Sequence, residues 1–252
     1  CRKSTIPNGV VSIGNYAFDN CTALKKVTIE DGSSTLSLGY NSYSSSTGQG
    51  LFYDCPLEEV YLGRNLSYSS GSSYGYSPFY KSNRSPIISL GNNVTSIPSY
   101  LFYNNTSHTT LTIPWSVTSI GDHAFDGCTG ELVVNCNIPS ASSSSTGAFY
   151  GSRFSKVTFG EGVTSVGSYA FDGCDSLYAI NLSSSITSVG ASAFSNTGAA
   201  SIIGDFNIRD FGSNCFSGCS INCPDSNGVI YFRNGGTITI GAKAATCTED
   251  GF

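Results

Sequence analysis

A phenylalanine returns through this chain at Phe18, Phe52, Phe79, Phe102, Phe125, Phe149, Phe171, Phe194 and Phe216. The first two intervals are the longest, and from Phe79 onward the steps are nearly equal. The phenylalanine returns inside a longer pattern. Val10-Val-Ser-Ile-Gly-Asn-Tyr-Ala-Phe18-Asp-Asn-Cys21 comes back as Val117-Thr-Ser-Ile-Gly-Asp-His-Ala-Phe125-Asp-Gly-Cys128 and as Val163-Thr-Ser-Val-Gly-Ser-Tyr-Ala-Phe171-Asp-Gly-Cys174. Looser copies are Ile186-Thr-Ser-Val-Gly-Ala-Ser-Ala-Phe194 and Ile208-Arg-Asp-Phe-Gly-Ser-Asn-Cys-Phe216-Ser-Gly-Cys219. A period of about 23 residues is too short for paired-helix repeats or propeller blades, and it commits the chain to a stack of short turns.

Each phenylalanine is followed by an alternating apolar run, such as Leu24-Lys-Lys-Val27-Thr-Ile29, Leu57-Glu-Glu-Val60-Tyr-Leu62 or Leu177-Tyr-Ala-Ile180-Asn-Leu182. Period-two alternation in a short β-branched run predicts a strand with one face buried. A second apolar pair, Val10 with Ile13 or Val163 with Val166, precedes the glycine and supplies another inward edge. One such turn cannot bury its own apolar edge, so turns must stack on their neighbours. The strands then pair in parallel, giving a sheet roughly 40 Å long at about 4.8 Å per strand, with the phenylalanines as an aromatic spine inside the coil. The glycines four residues before each phenylalanine (Gly14, Gly48, Gly75, Gly121, Gly167, Gly190, Gly212) fit a positive φ or a close backbone approach.

Composition narrows the function. Of 252 residues only 12% are charged, about half the usual share; Ser, Thr, Asn and Gly take their place. A net charge of -5 without a Lys/Arg run argues against nucleic acid, and no apolar stretch is long enough to insert in a membrane. The chain has no methionine and starts in mid-pattern at Cys1, so it reads as part of a longer, processed precursor.

The Val117–Cys128 signature resembles the BspA-like leucine-rich repeats of cell-surface proteins from host-associated bacteria and some mucosal protozoa, and the likeness runs from about Cys1 to Cys223. The resemblance implies a leucine-rich-repeat solenoid of about nine turns, mainly β, with a parallel sheet on one face and short helical or 3-10 turns. It also implies an extracellular, cell-surface role in adhesion and protein or matrix binding. Residues 1–224 form the expected solenoid. Residues 225–244, with Gly228-Val-Ile-Tyr-Phe-Arg, Asn234-Gly-Gly and Thr237-Ile-Thr-Ile-Gly, read as a β-hairpin cap over the open end. Residues 245–252 look like the opening of a further cysteine-containing module.

The ten cysteines follow the repeat. Three residues after each phenylalanine stand Cys21, Cys55, Ser82, Asn105, Cys128, Ser152, Cys174, Thr197 and Cys219. Cys shares with Ser, Asn and Thr only a small side chain able to bond the local backbone, which predicts a ladder of buried, free thiols. Cys136 and Cys223 are placed at the inward strand position of Leu182, as small hydrophobes, and Cys215 in the alanine place before Phe216. The alternatives are a disulfide between adjacent turns, such as Cys21 with Cys55, and a metal site at Cys215, Cys219 and Cys223, whose spacing is wider than zinc sites use. His123 shares its column with Tyr16, Tyr169 and Ser192 and is expected to be exposed; His108 is assigned to a polar loop. Asp19, Asp126 and Asp172 repeat in one slot, which marks scaffold. No nucleophile motif or acid/base pair stands out, so the chain is expected to be no enzyme and to carry no cofactor.

Two surfaces are left for binding. The outward stripe of the sheet (Lys26, Thr28, Glu59, Tyr61, Thr110, Thr112, Asn135, Lys156, Thr158, Asn181) is neutral and short-chained. Three turns are also lengthened before the phenylalanine, at 39–50, 66–77 and 139–147, so their insertions should emerge along one edge. The first two are rich in Tyr, Ser and Gly, a composition that gives contact area at low entropic cost. Tyr40, Tyr43, Tyr68, Tyr74 and Tyr76 are therefore the candidate partner-binding residues, with Tyr61 added from the sheet face. The expected partner is a host extracellular protein or glycan bound by a monomer; the alternative is a spacer that holds another domain away from the cell and has no ligand.

Overall fold

The computed structural model describes residues 1–41, 50–69, 77–79, 85–199, 201–203, 208 and 210–219, with the backbone of three further strands beyond. In chain order the strands are β1 (Lys3–Ile6), β2 (Ser12–Ile13), β3 (Lys26–Ile29), β4 (Leu36–Leu38), β5 (Glu59–Leu62), β6 (Leu66–Ser67), β7 (Ile87–Leu90), β8 (Ser96–Ile97), β9 (Thr110–Ile113) and β10 (Ser119–Ile120). They continue as β11 (Thr129–Val134), β12 (Arg153–Phe159), β13 (Ser165–Val166), β14 (Ala179–Asn181), β15 (Ser188–Val189), β16 (Ser201–Ile203), β17 (Asp210–Phe211), β18 (Ile221–Pro224), β19 (Val229–Phe232) and β20 (Thr237–Thr239).

The molecule is the expected parallel solenoid. Its main face is built from β1-β3-β5-β7 and then β9-β11-β12-β14-β16, and its narrow face from β2-β4-β6, β8-β10 and β13-β15-β17. The nine main-face strands bound eight full turns. Alternation sets the register: Val27, Val60 and Ile88 lie side by side facing inward, as do Leu111, Leu132, Val157 and Ile180. Between the two faces the phenylalanines stack as the repeat predicts. Ring centroids are 4.6 Å apart for Phe18–Phe52, 5.3 Å for Phe52–Phe79, 5.1 Å for Phe102–Phe125, 5.0 Å for Phe125–Phe149, 4.4 Å for Phe149–Phe171, 5.2 Å for Phe171–Phe194 and 5.4 Å for Phe194–Phe216. These spacings track the distance between paired strands, and each stacked pair adds about 0.5–1.5 kcal/mol beyond its burial.

The turn around each phenylalanine is where the expected short helices fail to form. Among the described residues the one helical piece is a 3-10 turn at Ser144–Thr146. Elsewhere alternate N–H groups take different partners. Those of Ala124, Asp126 and Cys128 bond back within the turn, to Gly121, His123 and Phe125. Those of Tyr100, Phe102 and Asn104 reach forward to the carbonyls of Asp122, Ala124 and Asp126 in the next turn. A helix would spend every N–H locally and leave the stack without this second ladder. Left-handed residues accompany the alternation and recur in two columns. Two residues after the phenylalanine the column holds Asn20, Asp54, Asn104, Gly127, Gly151, Gly173, Asn196 and Gly218. Two residues before it the column holds Tyr16, Tyr100, His123, Tyr169, Ser192 and Asn214.

In the glycine column Gly121, Gly167, Gly190 and Gly212 serve close approach with no positive φ, Gly14 meets nothing within 4 Å, and Gly48 and Gly75 lie outside the described residues. A Cβ on Gly121 would lie 2.4 Å from the Ser99 nitrogen, and one on Gly190 2.4 Å from that of Ser168. The thiol ladder is also as expected. Cys128 donates to the Phe102 carbonyl at 2.9 Å, Cys174 to Phe149 at 3.2 Å and Cys219 to Phe194 at 2.9 Å, each reaching back one turn. Thr197 bonds the carbonyl of its own turn's Phe194 at 3.0 Å. Every cysteine side chain described is a free thiol, Cys21 and Cys55 included. Burial raises Cys55 to about 11, Cys128 to about 12 and Cys174 to about 12, which makes them inert. Cys136 is buried, but away from the strand position that the sequence pattern gives it. Thr158 pairs with both Val133 and Asn181, so Val134 stands level with Leu182 and Cys136 lies beyond the strand end.

At the C-terminal end the expected hairpin is the antiparallel β19–β20 pair, with Tyr231 opposite Thr237, and β18 makes it a three-stranded sheet. The side chain of Cys223, and residues 245–252 altogether, lie outside the described residues.

Candidate functional site

The main sheet presents charges that answer one another across strands. Lys25 Nζ lies 2.6 Å from Glu58 Oε1, Lys26 pairs with Glu59, and Lys156 Nζ is 3.4 Å from Glu131 Oε2. Tyr61, on β5, donates its hydroxyl to Asp31 Oδ1 at 2.9 Å. It lies over Gly91, where an added Cβ would meet that hydroxyl at 2.5 Å. Burial first, then the Asp31 bond, pushes the Tyr61 phenol up. Tyr61 is thus tied down beside cross-strand ion pairs.

The turn edge differs. Tyr40 is half-buried, takes Asn15 Oδ1 on its N–H at 3.1 Å and sets its ring 6.3 Å from that of Tyr16, edge to face. A shallow cleft of about 360 Å³ runs beside it, lined by Gly14, Asn15, Gly39 and Ser69. Tyr68 is a strut: it packs on the core and its hydroxyl donates to the Ser99 carbonyl at 2.8 Å. Tyr43, Tyr74 and Tyr76 lie outside the described residues. Of the sequence candidates, Tyr40 and Tyr68 belong to this edge and Tyr61 to the sheet. The third lengthened turn, 139–147, is stitched down, with Ala141 N–H on the Ser168 carbonyl at 3.0 Å and Ser168 N–H on Ser140 Oγ at 3.1 Å.

Sequence reasoning missed the centre of this edge. Tyr100 stacks on His123 at 5.2 Å and 10°, Tyr103 meets Tyr100 edge-on at 5.6 Å, and Tyr150 meets His123 edge-on at 5.6 Å. Asp126 Oδ2 lies 3.4 Å from His123 Nδ1. Burial raises the Tyr100 phenol, helped by Tyr103, Asp122 and Asp126. His123, expected to be exposed, is half-buried between these rings. The signal was available in two columns, two before and one after the phenylalanine, which bring aromatic side chains from successive turns together. At the other end of the main strands Trp115 is 70% exposed, in the turn slot that Asn8, Asn92, Glu161 and Ser184 hold elsewhere.

The BspA type leucine rich repeat region, as six copies, matches residues 1–131 and 95–222. The chain belongs to the BspA-type leucine-rich repeat family. Among solved structures it is similar to a leucine-rich cell surface protein from Faecalibacterium prausnitzii A2-165, at 23% identity and a TM-score of 0.35. That likeness covers 86% of this chain and 64% of the other, so the chain spans less than two thirds of that protein. No curated protein matches. Among the described residues of this BspA-type array, no helix is long and apolar enough to cross a membrane.

The second histidine needs a correction. The sequence pattern puts His108 in a polar loop, yet it is 6% exposed. Its Nε2 accepts the Ile88 N–H at 2.9 Å, its Nδ1 lies 3.2 Å from Asn105 Oδ1, and its ring meets Phe102 edge-on. It completes the edge of β7, where main-face pairing stops.

Proposed function

We propose that the chain is an extracellular protein-interaction module of a bacterial surface protein, and that its turn edge is the contact surface. One observation carries this reading. The left-handed residues of both columns share one backbone conformation, and those after the phenylalanine are Asn, Asp and Gly, which tolerate it. The column before it holds Tyr16, Tyr100 and Tyr169, at φ 61°, 64° and 58°. A bulky residue there is strained by about 1–3 kcal/mol, and such strain clusters at functional sites. Asn214 fills the same slot without that cost, so the tyrosines serve something besides the turn. Tyrosine gives a large, rigid contact with a polar tip.

Specific adhesion to a host protein, matrix component or glycan is the finer form of this reading, and the array would then act at the cell surface without catalysis. A spacer is the second reading, favoured by the phenylalanine stacks on either side of the break after β7, which stiffen the coil. An array of host matrix proteins and glycans separates them. It is probed with the intact domain, with Tyr16→Ser/Tyr100→Ser/Tyr169→Ser, and with a form trimmed at 42–49 and 70–76. Those trims spare Leu66, Tyr68 and Ser77, which the fold uses. Saturable binding lost with the tyrosines supports the contact surface. Silence across the array, with the fold intact by circular dichroism, leaves the spacer.

A further inference from the structure

The formal charges of this chain are segregated. Take the turn edge as the residues from four before to three after each spine phenylalanine. Its described part carries Asp19, Asp54, Asp122, Asp126 and Asp172 and no lysine or arginine. Lys81 falls in the same stretch of sequence but outside the described residues. The described cations are elsewhere: Arg2, Lys3, Lys25, Lys26, Arg153 and Lys156 stand on or beside main-sheet strands, and Arg64 is buried. The sheet carboxylates Glu58, Glu59 and Glu131 are each paired with a lysine of a neighbouring strand. Asp122 and Asp126 instead flank aromatic rings, Asp126 against His123 and both close enough to raise the Tyr100 phenol.

We propose that the turn edge centred on Tyr100, Tyr103, His123 and Tyr150, with Asp122 and Asp126, binds an arginine- or lysine-bearing segment of a partner protein. The inference rests on the interaction-module reading and adds the chemistry of the partner. Aromatic faces and carboxylates converge on the same need: a guanidinium or ammonium is attracted by a ring face and pairs with a carboxylate, arginine bidentately. A neutral glycan would gain nothing from the carboxylates of Asp122 and Asp126 beside these rings, and an acidic one would be repelled.

The test uses the whole chain and a fluorescent peptide alternating arginine and serine, with the citrulline version as the uncharged control. Binding by anisotropy should be salt-sensitive and absent with citrulline. Asp122→Asn/Asp126→Asn should weaken it about ten-fold, and Tyr100→Leu, which keeps bulk but loses the ring face, by a smaller factor. Glu58→Gln/Glu59→Gln removes the same charge from the sheet and should leave affinity unchanged. Equal losses in the two double variants would reduce the effect to net charge and overturn the proposal. So would array partners that need the turn-edge tyrosines yet bind Asp122→Asn/Asp126→Asn normally, or that prove to be neutral glycans; in those cases the interaction-module reading survives. No partner of any kind on the array would remove both.

Discussion

Residues 94–219 and residues 1–90 are the same solenoid held together in two ways. In the first stretch the phenylalanines recur at a near-constant interval of about 23 residues, and β9 through β16 form one unbroken sheet. The Thr95 carbonyl accepts N–H bonds from both Thr118 and Ser119, and Thr164 does the same for Thr187 and Ser188. Each turn is bound by its backbone, so no single side chain is indispensable. In the second stretch the intervals from Phe18 to Phe52 and from Phe52 to Phe79 are longer and unequal. Cohesion there falls to particular side chains. Arg64, only 1% exposed, donates to the carbonyls of Asn8 and Pro7 at 2.8 and 2.9 Å and to Ser34 Oγ at 2.8 Å, which ties three turns together.

The seam between the stretches is made the same way. Main-face pairing stops between β7 and β9 and narrow-face pairing between β6 and β8. Across that line Asn65 Oδ1 accepts the N–H groups of Thr95 and Ser96 at 2.8 and 3.1 Å, standing in for a backbone carbonyl. Tyr68 reaches Ser99, Ser77 Oγ reaches the Leu101 carbonyl at 2.8 Å, Asn105 Nδ2 reaches Pro86 at 2.7 Å, and His108 takes Ile88. The regular stretch has one such gap, between β10 and β13, where Pro139 has no N–H to give. There Asn137 Oδ1 accepts Thr164 and Ser165 as Asn65 does at the seam. An irregular repeat thus exchanges a redundant ladder for a few specific residues.

Removing the largest of them should have the largest effect. Arg64→Met removes the three hydrogen bonds that the buried guanidinium makes to Pro7, Asn8 and Ser34, and about 3 kcal/mol of stability should be lost. Because each turn contacts only its neighbours, the loss should stay local. Hydrogen exchange should speed up in β1, β3 and β5 while β11, β12 and β14 keep their protection. Uniform acceleration through both stretches would mean that the seam transmits as well as the ladder, and the contrast would fail.

A finer test sets Asn65→Ala and Asn137→Ala against Thr118→Val. Each asparagine variant orphans two N–H groups and should cost about 1–2 kcal/mol in denaturant melts. Thr118 Oγ1 only shares the Thr95 carbonyl with backbone donors, so its loss should stay within about 0.5 kcal/mol. Equal costs for Asn65 and Thr118 would show that the asparagine does no more than an ordinary surface bond.

The contrast also marks what the sequence could reveal. The coil, its strand register, its phenylalanine spine and its free thiol ladder are legible because each is written again in turn after turn. Arg64, Asn65 and His108 stand in repeat slots that other residue types hold elsewhere, Asn8 and Trp115 for the first, Asn137 again for the second, Leu24 and Leu177 for the third. The column therefore does not announce their role, and their partners lie 20–57 residues away. The turn-edge patch falls between these cases. Its tyrosines do recur, but the strain that singles them out is a backbone property, invisible until φ is known. Composition draws notice to the insertions instead, which leads to Tyr68, a side chain the fold already employs.

The smallest effect separates the seam from the regular ladder by pH. Burial holds the His108 ring below its ordinary 6.5, against a smaller opposing pull from the Ile88 carbonyl. The neutral ring suits its place, since Nε2 accepts the Ile88 N–H while Nδ1–H donates to Asn105. A folded-state pKa below the unfolded value means that the unfolded chain binds the proton first. The contribution is therefore complete above pH 6.5 and is lost as pH falls through the folded value, by at most about 1.4 kcal/mol per pH unit. Thermal melts across that window should show a decline that His108→Gln abolishes. Exchange measured alongside should place the acid loss at β7 and β9, with β12 and β14 unmoved. A decline that persists in the glutamine variant would assign it to other groups, and the seam would lose its claim to be the acid-sensitive part of the coil.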